Sequence, residues 1–308
     1  MARFLLPLAV LAVSTSAPLI RYAAPAPAMT VAALRVCLAG LLLSLMAPGA
    51  WRLWWRLPVR ERLLIVAAGF LLALHFASWI SSLYWTSTAA SVALVATQPI
   101  FAALFARALG DVIHRREVLG MACAAIGCAV LASGELLSGA SGALVGDVLA
   151  IAGAATAAGY LLLGRRMRAS MPLVPYLALV NVIAGVLLLV GAAAVDTPML
   201  GFSSQVYLAI ALAAIAPSLI GHSLLNLAVR RSPAHVVALA VLAEPIGASL
   251  MTWVAFSEVP PAHAVLGGVV IIAGIALGVR RQPAADHERT NSSRGVSTGD
   301  KSDAAASR

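Results

Sequence analysis

Ala39-Gly40-Leu41-Leu42-Leu43 lies inside a long apolar run, and about 146 residues later the chain repeats it as Ala184-Gly185-Val186-Leu187-Leu188. Three further landmarks return in the same order at nearly the same interval: His75 as His222, Gln98-Pro99 as Glu244-Pro245, and Leu119-Gly120 as Leu266-Gly267. Short matches are cheap in a chain rich in Ala, Leu and Gly, but constant order and spacing are not. Weak internal symmetry in an apolar sequence is the trace of a protein built from two halves, a construction common among membrane transporters.

Composition agrees. Hydrophobic residues make up 61% of the 308 and charged residues 11%, with a mean hydropathy of +0.95, against roughly 25% charged in a soluble domain. No soluble fold of this length hides so much apolar surface. Cys37, Cys123 and Cys128 sit in apolar runs without a Cys-x-x-Cys spacing or a nearby His, which reads as packing rather than a disulfide or metal site. The net charge of +9 does not point to nucleic acid, because the Arg residues are spread over short loops instead of clustering on a polar face.

A hydrocarbon core about 30 Å thick takes about 20 apolar residues per helix. Suitable runs lie near 4–22, 29–47, 63–84, 89–108, 118–136, 145–164, 173–195, 206–228, 234–256 and 262–280. The expected fold is therefore an all-α integral membrane protein of ten helices, arranged as two five-helix repeats over 1–137 and 143–281. From 282 to 308 the chain turns polar and reads as a disordered cytoplasmic tail.

Cytoplasmic loops retain Arg and Lys. With the N-terminus inside, 19 of the 21 basic residues fall on the cytoplasmic side; the exceptions are Arg21, outside, and Arg35, within the second helix. The outer loops carry Glu135, Asp147, Asp196 and Glu258 instead. Five helices per half is an odd number, so the second half enters the membrane from the opposite side and the repeat is inverted. A rival reading takes the N-terminus, with Arg3 and Ala24-Pro25-Ala26, as a cleavable signal peptide. Cleavage would leave nine helices and break the five-plus-five symmetry, which favours a first membrane helix.

These residues resemble the drug/metabolite transporter (DMT) superfamily, specifically its EamA-type ten-helix members. The resemblance rests on Ala33-Leu34-Arg35-Val36 with Leu38-Ala39-Gly40 in the second helix, and on Gly146-Asp147-Val148-Leu149-Ala150 opening the sixth, with Tyr160 and Arg165-Arg166 behind it. Leu242-Ala243-Glu244-Pro245 and Phe256-Ser257-Glu258 match the ninth helix and its acidic turn. One departure stands in the turn after the fourth helix, Gly110-Asp111-Val112 in place of a Gly-Glu pattern. The resemblance implies a bundle with both termini cytoplasmic, a central substrate cavity between the repeats, and alternating access.

Polar groups in hydrocarbon are costly and tend to face the protein interior or an aqueous cavity. Glu244 is the acid deepest within a helix, and Pro245 behind it removes a backbone donor and opens the helix locally. Its expected role is coupling, by taking up and releasing a proton or by meeting a cationic group of the substrate. His75 and His222 occupy equivalent places in the two halves; Trp79 and Asn226 each follow four residues later, so each pair shares a helix face. With Gln98 and Tyr160 they are the candidate cavity residues. Gln98 also precedes a proline, Pro99, and as an amide it offers hydrogen bonds without proton chemistry.

Arg35, Pro99 and Pro245 are read as structural, Arg35 by snorkelling or by pairing with an acid. Ser14, Ser16, Asn181 and Ser218 are supplementary cavity candidates, while Tyr84 and Trp85 fit an interfacial aromatic belt. Gly139-Ala140-Ser141-Gly142 resembles the nucleophile motif of intramembrane serine proteases, yet it falls in a linker, and no metalloprotease or phosphate-loop motif accompanies it. The expectation is a secondary transporter rather than an enzyme, without cofactor or metal, exporting a small polar metabolite across the inner membrane. An importer or exchanger of the same fold is the alternative. Expected partners are that small molecule and the lipid bilayer, not nucleic acid; a homodimer is compatible with the chain.

Overall fold

A computed structural model of the chain describes residues 2–110, 114–136, 142–167, 171–231, 237, 240–257 and 262–279. The tail 282–308, Asp111, Ser141 and Glu258 lie outside the described residues. Among the described residues all regular structure is helical, as expected for backbone in lipid, where each N–H and C=O must be satisfied within its own segment. The helices are α1 (Ala2–Ser14), α2 (Ser16–Tyr22), α3 (Ala28–Met46), α4 (Ala50–Arg56), α5 (Val59–Ser82), α6 (Thr88–Val95), α7 (Gln98–Ala108), α8 (Arg115–Leu136), α9 (Ala143–Met167) and α10 (Leu173–Ala194). They continue with α11 (Ser204–Ala213), a π-helical segment over Ala214–Gly221, α12 (His222–Arg231), α13 (Glu244–Phe256) and α14 (Ala262–Val279).

Seven stretches of the described residues are long and apolar enough to cross a membrane: Leu5–Tyr22, Ala28–Met46, Val59–Ser82, Ala90–Ala108, Ala143–Met167, Leu173–Ala194 and Ser204–Ala228. α8, α13 and α14 occupy the other three expected places. Large apolar side chains face outward along the whole bundle, among them Leu45, Val190, Leu208 and Val254. Water penalises such a surface and lipid favours it. The chain is a multi-pass membrane protein.

Proline writes the local geometry. Pro27, Pro58 and Pro172 each sit just before a helix with ψ near 150°, where the ring fixes φ and no N–H is missed. Pro99 lies within a candidate membrane span and Pro245 in the first turn of α13. Proline opposes regular winding, and the chain turns at Ala96-Thr97 and again at Leu242-Ala243. It restarts with Gln98 and Glu244 as first residues and the proline in the first turn, where it costs least. The Gln98-Pro99 and Glu244-Pro245 matches in sequence thus become matching helix breaks. Pro217 marks a third irregularity. It lies inside the π-helical segment, where the His222 N–H reaches back to the Pro217 carbonyl and Ser218 Oγ donates to the Ala213 carbonyl at 3.2 Å. No such segment interrupts α5, which holds the matching residue His75.

Packing follows the repeat. α3 lies against α10, α8 against α14, and α5 against α9, while α1 packs on the π-helical segment and α12. The first two contacts are reciprocal. A β-carbon on Gly40 would stand 3.1 Å from Val182 N, and one on Gly185 would stand 3.3 Å from Cys37 N; Cys37 and Val182 are themselves partners at the repeat interval. Small residues let the backbones approach this closely, which is how helices associate where burial from water supplies no drive. The core lies where α3, α5, α9 and α10 meet, with Arg35 and Tyr176 among its largest fully buried side chains.

Candidate functional site

Arg35 is the centre of the polar interior. It projects from α3 and is 0% exposed. Its Nε donates to Ser218 Oγ on the π-helical segment and its Nη1 donates to Ser16 Oγ on α2, both at 2.8 Å. The guanidinium lies over the ring of Phe76 at 4.7 Å and within 5.8 Å of the Trp79 ring centroid, both on α5. One cation therefore ties three spans to its own. Among the described residues it hydrogen-bonds no acid and Nη2 has no hydrogen-bond partner. The hydroxyls that hold it come from small serines, which carry no charge signal in a sequence.

The histidines join this cluster. His75 stacks on Trp79 with ring centroids 5.9 Å apart and planes 7° from parallel, as expected of residues four apart on one face. His75 Nδ1 lies 2.9 Å from the Gly153 carbonyl of α9. A carbonyl only accepts, so Nδ1 carries the proton and Nε2 is left as an acceptor. His222 meets the edge of Phe76 at 6.0 Å, and Phe76 meets His75 at 4.9 Å. Phe76 thus bridges the two histidines and the guanidinium. Sequence reasoning passed over it, since a Phe in an apolar run carries no mark that separates it from lipid-facing neighbours.

Glu244, first residue of α13, lies within electrostatic range of Arg35. The single Ser14 hydroxyl proton of α1 is shared between the Val10 carbonyl at 2.8 Å and the Glu244 carbonyl at 3.3 Å. Pro245 is buried behind it. The proline break places this carboxyl at a helix start, inside the bundle and facing a buried cation.

Tyr160 and Asn226 form a neighbouring group. Asn226 is fully buried; its Nδ2 donates to the His222 carbonyl at 2.7 Å and lies 3.5 Å from the Tyr160 hydroxyl. This amide braces α12 just after the π-helical segment. Asn181 spends its Nδ2 on the Leu177 carbonyl of its own helix at 2.8 Å. Gln98 is half-buried at the head of α7 beside buried Pro99, and among the described residues no hydrogen bond joins it to the Arg35 cluster. The structure thus brings together Arg35, His75, Trp79, His222, Ser16 and Ser218, with Glu244 in electrostatic range. Tyr84, at the end of α5, donates to the Ala26 carbonyl at 2.7 Å, and Trp85 beside it is exposed.

Comparison with known proteins agrees with this architecture. A solved structure described only as "Crystal structure of protein" superposes with a TM-score of 0.71 at 21% identity, over 90% of this chain and 96% of that one, a likeness of fold. No curated protein matches the chain. The EamA-like transporter family matches twice, over residues 1–133 and 144–280. The chain belongs to the EamA-like transporter family, within the drug/metabolite transporter superfamily.

Proposed function

We propose that this protein is a secondary-active transporter that exports a small polar metabolite, such as an amino acid or an analogue, by alternating access. The observation that carries the reading is the buried polar cluster at Arg35, to which residues of both halves contribute: Ser16, Phe76 and Trp79 from the first, Ser218 from the second. A membrane protein keeps such groups away from lipid and conserves their cost only where they meet a solute or one another. The reciprocal glycine contacts support an arrangement of ten spans as two inverted repeats. On that arrangement both termini are cytoplasmic in the inner membrane, and each half supplies one gate.

Glu244 is the proposed coupling group. It exchanges a proton in one facing state and meets the buried cation or the substrate in the other, so that the proton gradient or the substrate's own gradient drives the cycle. The test compares metabolites inside and outside cells that overproduce the protein with those that overproduce Glu244→Gln. Depletion inside and accumulation outside of one polar compound class supports export. The opposite shift establishes import, and no shift under varied nutrient conditions overturns the transport assignment.

A further inference from the structure

We propose that Arg35 and Trp79 form an anion subsite that takes the carboxylate of the transported molecule. The inference rests on the transporter reading and goes beyond it by assigning the charge of the substrate and the atoms that hold it. Two independent observations meet at this point. The first is the guanidinium itself. It carries five N–H donors, of which the hydroxyls of Ser16 and Ser218 engage one on Nη1 and the one on Nε, while Nη2 engages nothing although Arg35 is 0% exposed. The second is the indole of Trp79, whose Nε1–H also lacks a partner while the residue is 3% exposed.

Buried donors are almost always paired, so two orphans in one cluster call for a common explanation. Both belong to side chains whose groups lie within 5.8 Å of each other. Both are donors, and one is cationic, so the missing partner is an acceptor with negative charge. The planar fork of an arginine matches the two oxygens of a carboxylate. Phe76 lies against His75, His222 and the guanidinium, so the cluster has rings beside its charge. A buried charge without a hydrogen-bonded counter-ion is costly, and that cost is relieved when an anion arrives. Glu244, within electrostatic range of Arg35, supplies a negative charge that would favour an ammonium on the same molecule. In this conformation the guanidinium is sealed from solvent, so the ligand enters as the two halves part.

Thermal unfolding of the full-length protein, purified in detergent, tests the assignment against the twenty L-amino acids, their carboxamide derivatives, inorganic phosphate and sulfate. Expected is a concentration-dependent rise in Tm with a subset of the carboxylates, and at least tenfold weaker binding of each matching carboxamide. Trp79→Phe separates ligand contact from structure. Trp79→Phe removes the indole N–H together with part of a buried ring, so the Tm of the free protein falls modestly, and the informative readout is affinity, which drops several-fold for the stabilising carboxylate. Arg35→Lys keeps the charge but loses the fork, and weakens the same ligand more strongly.

Equal binding of acids and carboxamides, stabilisation by phosphate or sulfate alone, or no response to any anion overturns the assignment. So does a Trp79→Phe protein that binds the carboxylate with unchanged affinity. A metabolite shift in cells confined to neutral or cationic compounds would sink this subsite while leaving the transport assignment standing.

Discussion

Gly127 on α8 and Gly274 on α14 are each other's counterparts across one helix contact. A β-carbon on Gly127 would stand 2.7 Å from both the Gly267 carbonyl and Ile271 N, and one on Gly274 would stand 2.7 Å from the Gly120 carbonyl and 2.6 Å from Ala124 N. Gly120 and Gly267, like Ala124 and Ile271, are partners at the repeat interval. Each glycine therefore meets the corresponding pair of backbone positions on the opposite helix.

Backbone atoms at such distances cannot rotate away as a side chain would, so the helices themselves must separate to admit a methyl group. Gly127→Ala and Gly274→Ala are each expected to destabilise the protein by about 1–3 kcal/mol, the usual cost of overpacking a close-packed interface. Thermal unfolding in detergent reads both, and the matching close contacts lead to an expectation of similar losses. A large loss in one and none in the other would show that the contact is not shared equally.

The sequence makes the scaffold legible because lipid imposes a length and a polarity on every span. Apolar runs, loop arginines and the repeat interval mark the helices, and the paired prolines mark the breaks ahead of Gln98 and Glu244. The site is legible only in its charged and ring-bearing members. Trp79 shares a face with His75 by i,i+4 spacing and is found stacked on it. Phe76 carries no such mark, and the π-helical segment around Pro217 has no periodicity of its own; its effect is to turn Ser218 toward Arg35. Arg35 itself is conspicuous in sequence, but its neighbours come from residues 16, 76, 79 and 218, a proximity that only packing reveals.

The two serines that hold Arg35 give a second expectation. In Ser16→Ala or Ser218→Ala one guanidinium N–H loses its acceptor with no water to replace it. A buried donor left without its partner costs about 1–3 kcal/mol, and each variant should unfold at a correspondingly lower temperature. Ser218→Ala also removes the side-chain hydrogen bond to the Ala213 carbonyl. Since both serines act through one guanidinium, the double variant should depart from the sum of the single losses. Strict additivity in a double-mutant cycle would mean that the two contacts are energetically separate.

Pro217 offers a test of the irregular span. Each π turn accommodates one residue more than an α turn, so closing the segment into an α-helix would rotate His222 and Asn226 relative to α11 by about 100°. Pro217→Ala restores an N–H donor and removes the ring that opposes regular winding. Expected is a Tm equal to or above that of the parent, together with at least a tenfold loss of transport, because His222 leaves Phe76 and Asn226 leaves Tyr160. Full transport by a stable Pro217→Ala protein would show that the π-helical segment does not position these residues.

Glu244 and Gln98 stand at equivalent helix breaks, and the comparison makes one substitution especially informative. Glu244→Gln places before Pro245 the residue that the first half already carries before Pro99, so the helix start, the proline turn and the Ser14 contact with the residue 244 carbonyl should all survive. What disappears is the ability to carry a proton or a negative charge opposite Arg35. Among the described residues, His75 and His222 meet the same Phe76 that lies under Arg35, and both remain. In proteoliposomes, export driven by a proton gradient should fall in the parent as the gradient is dissipated. Glu244→Gln should run at least tenfold more slowly and respond little to the gradient or to pH between about 5 and 8. A variant that keeps the parent's pH profile would move proton coupling away from Glu244, and the two histidines beside Arg35 would be the groups to substitute next.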